Sequence, residues 1–355
     1  MSDRKVVVTG ASGMVGYHVV KHLSGRGWRV VALVRASSNT ASLSALAAGA
    51  GKVNIATAEL SDRGALVKAM TGAEAVVHAA GSVDPFGRRQ DVMAVNVGGT
   101  RSCLEAAVEA GVQHFLQISS LSVITGQGDQ FGLKDDAPLR YCGESYADSK
   151  VDAEKVVMGE QSGQRIQVTA LRPGFIYGPQ ERAWMPRLIN SLATGKAMLI
   201  DGGTKETNVI SVQNLSRAVE LALCNPVAYG QVYNLTDGQR VTKKDLFDAI
   251  CDGLNMARIK RTIPGPVARL VCEIVSVAAP YFPVDTQRKL GRYSRAAFRL
   301  AGVNQGFDIS KAERELGYTD RLPFAEGMRL ALAEFKGTAA QSRPAAARER
   351  EANRV

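Results

Sequence analysis

The stretch ESYADSK, Glu144 to Lys150, sets Tyr146 and Lys150 four residues apart. On a helix that spacing is about one turn, so the two side chains share a face. The pair has a definite chemistry. Reduction of a carbonyl needs a hydride on one side and a proton for the developing alkoxide on the other, and a phenol can deliver that proton. An unperturbed tyrosine titrates near about pH 10, and an ammonium one turn away stabilises tyrosinate and lowers that value. The same spacing also arises on ordinary helices. There Ser145 caps the helix, Asp148 and Glu154 enrich its early turns, and Tyr146 packs on the layer below. What separates the two readings is whether the chain also supplies a site for a hydride donor and a hydroxyl for the substrate oxygen.

A donor site is written near the start of the chain. TGASGMVG, Thr9 to Gly16, follows a β-branched run and opens a helical pattern. Gly10 suits a tight turn, Gly13 lets the backbone approach a pyrophosphate, and Gly16 lets helix and strand pack closely. Thr9, Ser12, Met14 and Val15 complete the turn and share in the expected contact. Free N–H groups and the positive end of the helix dipole then hold the phosphates. Strand, turn and helix in this order point to a dinucleotide site, with glycines spaced three and three rather than the usual two and three. The oxidised nicotinamide ring of such a cofactor would add positive charge beside Tyr146, and Lys150 can hold its ribose hydroxyls. The next β-branched run ends VALVRASSNT, with Val34 and Arg35 where an NAD site normally carries an acid. A guanidinium there can pair bidentately with a 2′-phosphate that an acid would repel, and Ser37, Ser38 and Thr40 add hydroxyls. NADP(H) is the favoured cofactor. NAD(H) is the second candidate, with Arg35 then a solvated residue at a strand end.

The elements that position these residues follow from periodicity. KVVVT (5–9), RVVALV (29–34), KVNIA (52–56), AVVHA (75–79), HFLQIS (114–119) and IQVTALR (166–172) read as strands. Helical patterns lie between them at 14–25, 40–48, 62–70, 91–110 and from 145. Apolar runs without alternation mean strands covered on both faces. The expected class is therefore α/β, a Rossmann-like doubly wound parallel sheet with a smaller C-terminal substrate-binding region. Residues 1–178, with a returning strand near 231–236, form the nucleotide-binding part. Residues 179–230 and 237–336 form the substrate part, with helices at 242–253 and 308–316, and 337–355 is an Ala/Arg/Pro-rich disordered basic tail. No internal repeat is present.

Taken together, TGASGMVG, HAAG (78–81), VNVGGT (95–100), FLQISSLSV (115–123), YADSK (146–150) and LRPGFIYGP (171–179) resemble the extended short-chain dehydrogenase/reductases, the NAD(P)-dependent epimerase/dehydratase superfamily. The resemblance runs from Lys5 to about residue 335. It implies Ser120, Tyr146 and Lys150 as catalytic residues, with Ser122 the fallback for the serine. It places Ala79, Ala80 and Gly81 on the cofactor, Asn96 in support of the active-site helix or the cofactor, and Pro173 and Gly174 beside the nicotinamide. Glu59 and Leu60 stand where relatives carry Asp and an apolar residue against the adenine.

Within the superfamily the chain is most similar to the 3β-hydroxysteroid dehydrogenase and sterol-4-carboxylate 3-dehydrogenase branch. SVDPFG (82–87), the apolar helix near 266–280 and FDISKAERELGY (307–318) carry that likeness. Arg35 departs from NAD-using members and resembles NADPH-using reductases of the dihydroflavonol type. The expected substrate is a bulky, largely apolar alcohol or ketone. The alternative is a nucleotide-sugar epimerase using bound NAD, which has little use for a late apolar helix. A sugar dehydratase would need an acidic pair beside the serine, which SSLSV lacks. A non-catalytic nucleotide-sensing protein has no need of Ser120, Tyr146 and Lys150 together.

Composition bounds the rest. With 355 residues and 45% hydrophobic residues the chain can bury a sizeable core. Cys103, Cys142, Cys224, Cys251 and Cys272 form no CxxC pair, and the four His show no metal spacing, so neither disulfides nor a metal are expected. MSDRKVVVTG enters a strand at once, leaving no room for a signal peptide, and a cytoplasmic location is expected. The net charge of +10 is local: residues 258–299 carry nine Lys/Arg against two acids, and 336–355 carry five against two. No nucleic-acid motif accompanies that charge. IPGPVARLVCEIVSVAAPYFP (263–283), inside the basic segment, reads equally as a helix packed on the smaller part and as a greasy lid or interfacial helix. Peripheral membrane contact through 258–299 is one expectation, and a homodimer through paired helices, as the resemblance implies, is another.

Overall fold

The computed structural model describes residues 4–83, 88–126, 128–160, 165–283, 286 and 290–336. Seven strands form its central sheet: β1 Lys5–Thr9, β2 Arg29–Val34, β3 Val53–Thr57, β4 Ala75–His78, β5 His114–Ile118, β6 Gln167–Pro173 and β7 Gln231–Leu235. All pair in parallel, in the order β7-β6-β5-β4-β1-β2-β3. The unbroken apolar runs are explained by β1. Val6 and Val8 enter one core and Val7 the core on the opposite face, so Val6 to Thr9 are all buried. The strand order reverses between β1 and β4, and in such sheets ligands bind at that point, beyond the carboxyl ends of the strands.

Besides a single turn at Ser122–Thr125, the first half holds the helices α1 Met14–Gly25, α2 Ala41–Ala50, α3 Arg63–Met70, α4 Arg89–Met93, α5 Gly99–Glu109 and α6 Ser145–Glu160. The long helix expected over 91–110 is present, running through 89–109 with one irregularity. Between α4 and α5 the chain makes a π-turn, Ala94–Gly98. The Thr100 hydroxyl donates to the Asn96 carbonyl at 2.6 Å, a side-chain bond that competes with the helix ladder at this point.

Beyond β6 come α7 Met185–Ala193, α8 Val212–Cys224, α9 Lys243–Gly253, α10 Gly265–Ala278, α11 Arg295–Gly302, α12 Ser310–Leu316 and α13 Phe324–Leu332. Of these, α7, α8 and α11 are not marked by the sequence reading. α8 buries Leu215, Ala218, Val219 and Ala222 in the same core as β1 and α1. A separate core gathers Met185, Ile189, Leu246, Ile250, Met328 and Leu332 from α7, α9 and α13. The buried Asp237 carboxylate joins these parts. It accepts from the Ser211 N–H at 2.8 Å, the Asn214 amide at 2.7 Å and the Tyr177 hydroxyl at 2.7 Å.

The apolar stretch at 263–283 does form a helix, α10, but only Gly265, Ala268 and Cys272 of it are buried. Among the described residues no helix is long and apolar enough to cross a membrane, and no group of His, Cys, Asp and Glu is placed to hold a metal. Residues 84–87 of SVDPFG and the tail 337–355 lie outside the described residues.

Candidate active site

The turn after β1 leaves no room for a side chain at Gly10 or Gly16. Gly10 has φ +64°, and a Cβ there would sit 2.8 Å from the Ala80 backbone. A Cβ at Gly16 would meet the Gly10 carbonyl at 2.2 Å. Gly13 is the N-cap of α1, with no side-chain cap and no acid in the first turn. The α1 N–H groups at that end are thus left to an outside acceptor, and the residues present fit the pyrophosphate of a dinucleotide. Ser12 and Gly13 are exposed on this turn and Met14 and Val15 half-buried. Thr9 is different. It is fully buried, its hydroxyl bonds His78 and accepts from the Ala80 N–H, so it braces the turn from behind instead of facing a ligand. Arg35 stands exposed at the end of β2, its N–H donating to Ser38 Oγ at 3.2 Å. Glu59 is exposed after β3, while Leu60 covers Gly99, where a Cβ would come within 2.7 Å of it.

A cleft opens beside that turn. Ala79 and Gly81 reach it from the end of β4, Ser120 from β5, Tyr146 and Lys150 from α6, and Pro173 and Gly174 from β6. Val15, Val83, Ile118 and Ile176 give it apolar walls. Gly174 can only be glycine, because a Cβ would lie 1.8 Å from the Asn208 carbonyl oxygen. Ala80 lies just behind the cleft, its N–H on Thr9.

The two serines part here. Ser120 hydrogen-bonds the Tyr146 phenol and accepts from the Ser122 N–H at 3.2 Å. Ser122 Oγ is buried away from the cleft, with no hydrogen-bond partner among the described residues. Tyr146 lines the cleft, against the reading that it packs on a layer below. Burial pushes its phenol above the ordinary tyrosine value, and the Ser120 bond pulls it down. The expected lowering by Lys150 is absent in the protein alone. Lys150 Nζ instead donates to the Ile118 carbonyl at 2.9 Å. Burial pushes that ammonium down to about 8, with Glu154 pulling it up.

Asn96, in the π-turn, is buried and fully engaged. Its amide donates to Ser149 Oγ at 2.8 Å and to the Ser82 carbonyl at 3.0 Å, and its Oδ1 accepts from the Ser82 N–H at 2.6 Å. Ser149 in turn donates to the Tyr146 carbonyl at 2.7 Å. Gly81 leaves room for this group: a Cβ there would lie 3.1 Å from Asn96 Oδ1 and 3.6 Å from Lys150 Nζ.

The start of α6 differs from the expected capping. Asp148, not Ser145, reaches back to the Cys142 and Gly143 N–H groups, at 2.9 and 3.2 Å. Glu154 is no solvated early-turn acid. It is 1% exposed and held by Arg172, with Arg172 Nη2 to Glu154 Oε1 at 2.5 Å. Ser119 Oγ donates to the same carboxylate at 2.6 Å. The sequence reading passed over this ion pair. Its partners lie 18 residues apart, one on helix α6 and one on strand β6, so no local spacing marks it.

Comparison with known proteins adds the following. The profile of the NAD dependent epimerase/dehydratase family matches residues 6–236. A 3beta-hydroxysteroid-dehydrogenase/decarboxylase, isoform 2, of Arabidopsis thaliana is 30% identical over 82% of this chain, which spans only 54% of that relative. A 4-hydroxy-2-methyl-3-oxo-4-farnesyl-3,4-dihydroquinoline-1-oxide ketoreductase of Stigmatella aurantiaca is 29% identical over 91% of this chain and 94% of its own. Among solved structures, the dTDP-glucose 4,6-dehydratase DesIV of Streptomyces venezuelae with NAD bound superposes with a TM-score of 0.75, covering 95% of this chain and 98% of its own at 22% identity, a likeness of fold.

Proposed function

The chain belongs to the NAD dependent epimerase/dehydratase family, and we propose that it is an NAD(P)-dependent oxidoreductase interconverting a hydroxyl and a ketone on a bulky, largely apolar substrate. The observation that carries this reading is the meeting of Ser120, Tyr146 and Lys150 in one apolar-walled cleft beside the glycine turn. A nicotinamide dinucleotide, when bound, supplies or accepts the hydride. Ser120 Oγ and the Tyr146 hydroxyl hold the substrate oxygen, and Tyr146 gives or takes its proton. The Lys150 ammonium, on the same face of α6, holds ribose hydroxyls and favours tyrosinate once it turns from the Ile118 carbonyl. Val15, Val83 and Ile176 keep water from the reacting carbon. The names of the relatives from Arabidopsis and Stigmatella, a steroid dehydrogenase and a ketoreductase acting on a farnesylated ring, support a greasy substrate. The test is turnover of sterols, β-keto acids, farnesylated ring ketones and nucleotide sugars with each cofactor. Turnover confined to nucleotide sugars would overturn the apolar assignment in favour of an epimerase.

NADP(H) is the preferred cofactor on this reading, because Arg35 stands exposed at the end of β2 where an acid would repel a 2′-phosphate. Wild-type protein is expected to bind NADPH at least tenfold more tightly than NADH, a difference of about 1.4 kcal/mol. Arg35→Asp is expected to erase or invert the preference. Fluorescence titration measures both, and equal wild-type affinities would reject the assignment.

The exposed face of α10 supports peripheral attachment to anionic membranes. Leu270 is 61%, Ile274 59% and Val277 62% exposed, and Tyr281 beyond it 87%. Exposed Lys260, Arg261 and Arg269 lie beside this stripe in the sequence, the pairing of charge and apolar side chains that binds anionic interfaces. The protein is expected to float with phosphatidylserine vesicles, and Leu270→Glu with Ile274→Glu to abolish flotation. A homodimer that sediments as such and dissociates on the same two changes would assign the face to a second copy instead.

A further inference from the structure

His78, at the carboxyl end of β4, is buried and takes no part in the chemistry above. It lies opposite Thr9 in the β1–β4 register. Its ring bridges two hydroxyls, with Nδ1 2.9 Å from Thr9 Oγ1 and Nε2 3.1 Å from Thr100 Oγ1.

The neighbours decide which nitrogen carries the proton. Thr100 has one hydroxyl hydrogen, and it goes to the Asn96 carbonyl at 2.6 Å. Thr100 Oγ1 must therefore accept from His78, which requires Nε2–H. A neutral imidazole then leaves Nδ1 as an acceptor, and the Thr9 hydroxyl donates to it while accepting from the Ala80 N–H at 3.2 Å. Every donor in this chain meets an acceptor. The other tautomer would set two acceptors against each other at Thr100. Burial pushes the imidazolium down to about 3 with help from the Lys150 ammonium, so the ring is neutral.

The chain joins two places that a dinucleotide site must keep in register. At one end Thr9 and Ala80 brace the Gly10 turn. At the other the Thr100 hydroxyl holds the Asn96 carbonyl, and the Asn96 side chain fixes Ser82 and, through Ser149, the Tyr146 backbone. We propose that His78 is a positioning residue that couples the dinucleotide turn to the Asn96 π-turn through a single neutral Nε2–H tautomer. The proposal rests on reading this cleft as a nicotinamide-dinucleotide site, and its first test does not depend on that reading.

Long-range proton–nitrogen spectra of protein labelled with ¹⁵N-histidine report each ring's tautomer. His78 is expected to stay neutral and Nε2-protonated between about pH 5 and pH 8. A protonated ring or an Nδ1–H signal would overturn the proposal, whatever the protein binds. Two variants then separate the ends. His78→Asn keeps an acceptor for Thr9 and loses the donor to Thr100. His78→Gln keeps a donor for Thr100 and loses the acceptor. His78→Gln is expected to weaken NADPH or NADH binding about fivefold to tenfold, the worth of one hydrogen bond, with amide exchange in 94–98 unchanged. His78→Asn is expected to speed exchange at Ser82 and in 94–98 while leaving cofactor affinity within about twofold. Equal effects of both variants on both readouts would reduce His78 to a general packing role and reject the coupling. Should neither variant fold, the wild-type tautomer decides, with His78 assigned by elimination through His18→Gln, His22→Gln and His114→Gln.

Discussion

Tyr146→Phe is expected to lower turnover about a thousandfold, within the range for loss of a general acid, while NADPH and NADH affinities change by less than about twofold. The change removes one oxygen from a ring whose body lines the cleft, so the walls and the glycine turn remain. It also removes the group that, among the described residues, both touches Ser120 and can give a proton to a substrate oxygen. In the protein alone burial holds the phenol above its ordinary value, so most of the work of lowering it falls to the assembled site. The residual rate in the variant should lose the pH dependence that tyrosine confers on the wild type. Single-turnover absorbance of the reduced nicotinamide, at saturating cofactor, measures it. A variant retaining near-normal rate removes Tyr146 from the mechanism. Ser120→Ala gives a matched control: the phenol stays and one of two holders of the substrate oxygen goes, so a smaller loss is expected.

The fold was legible because its signals are local. Runs such as VVV at 6–8 could only be strands covered on both faces, and each was followed by a helical pattern of the right length. The glycine turn carried its own geometry, since positive φ at Gly10 and the contact at Gly16 admit no side chain. The pairing of Tyr146 with Ser120 was legible only through family resemblance, because strand β5 and helix α6 meet in space and not in sequence. Three features were not legible. The π-turn depends on one hydroxyl, Thr100, choosing a carbonyl within its own helix. The role of Thr9 depends on His78, which lies 69 residues away. The helices α7, α8 and α11 follow a Gly/Pro-rich passage that breaks the strand–helix rhythm, and what they pack on lies elsewhere in the chain. In the same region α10 shows the helical pattern with the opposite outcome: its apolar stripe faces outward. Periodicity marks an amphipathic helix and is silent on what covers it.

Glu154 and Arg172 illustrate a site residue hidden by its own spacing, and they carry the largest expected effect on stability. Arg172, 4% exposed, places its guanidinium on both oxygens of the 1% exposed Glu154 and also donates to the Asp135 carbonyl at 2.8 Å. Two buried charges are tolerable only together. Arg172→Met keeps the length of the stem and leaves the Glu154 carboxylate buried without its guanidinium, with the Ser119 hydroxyl as its remaining hydrogen-bond donor among the described residues. The expected cost is about 3–5 kcal/mol, read by urea unfolding. The double change Arg172→Met with Glu154→Leu removes both charges and should recover most of the loss, as replacing a buried pair often does. Its activity should not recover in step, because Ser119, next to Ser120, loses its acceptor, and Lys150 loses the carboxylate that pulls its ammonium upward. A double variant that regains stability and full turnover would reduce the pair to packing. One that regains stability alone places Glu154 among the groups that hold Ser120 and Lys150 ready.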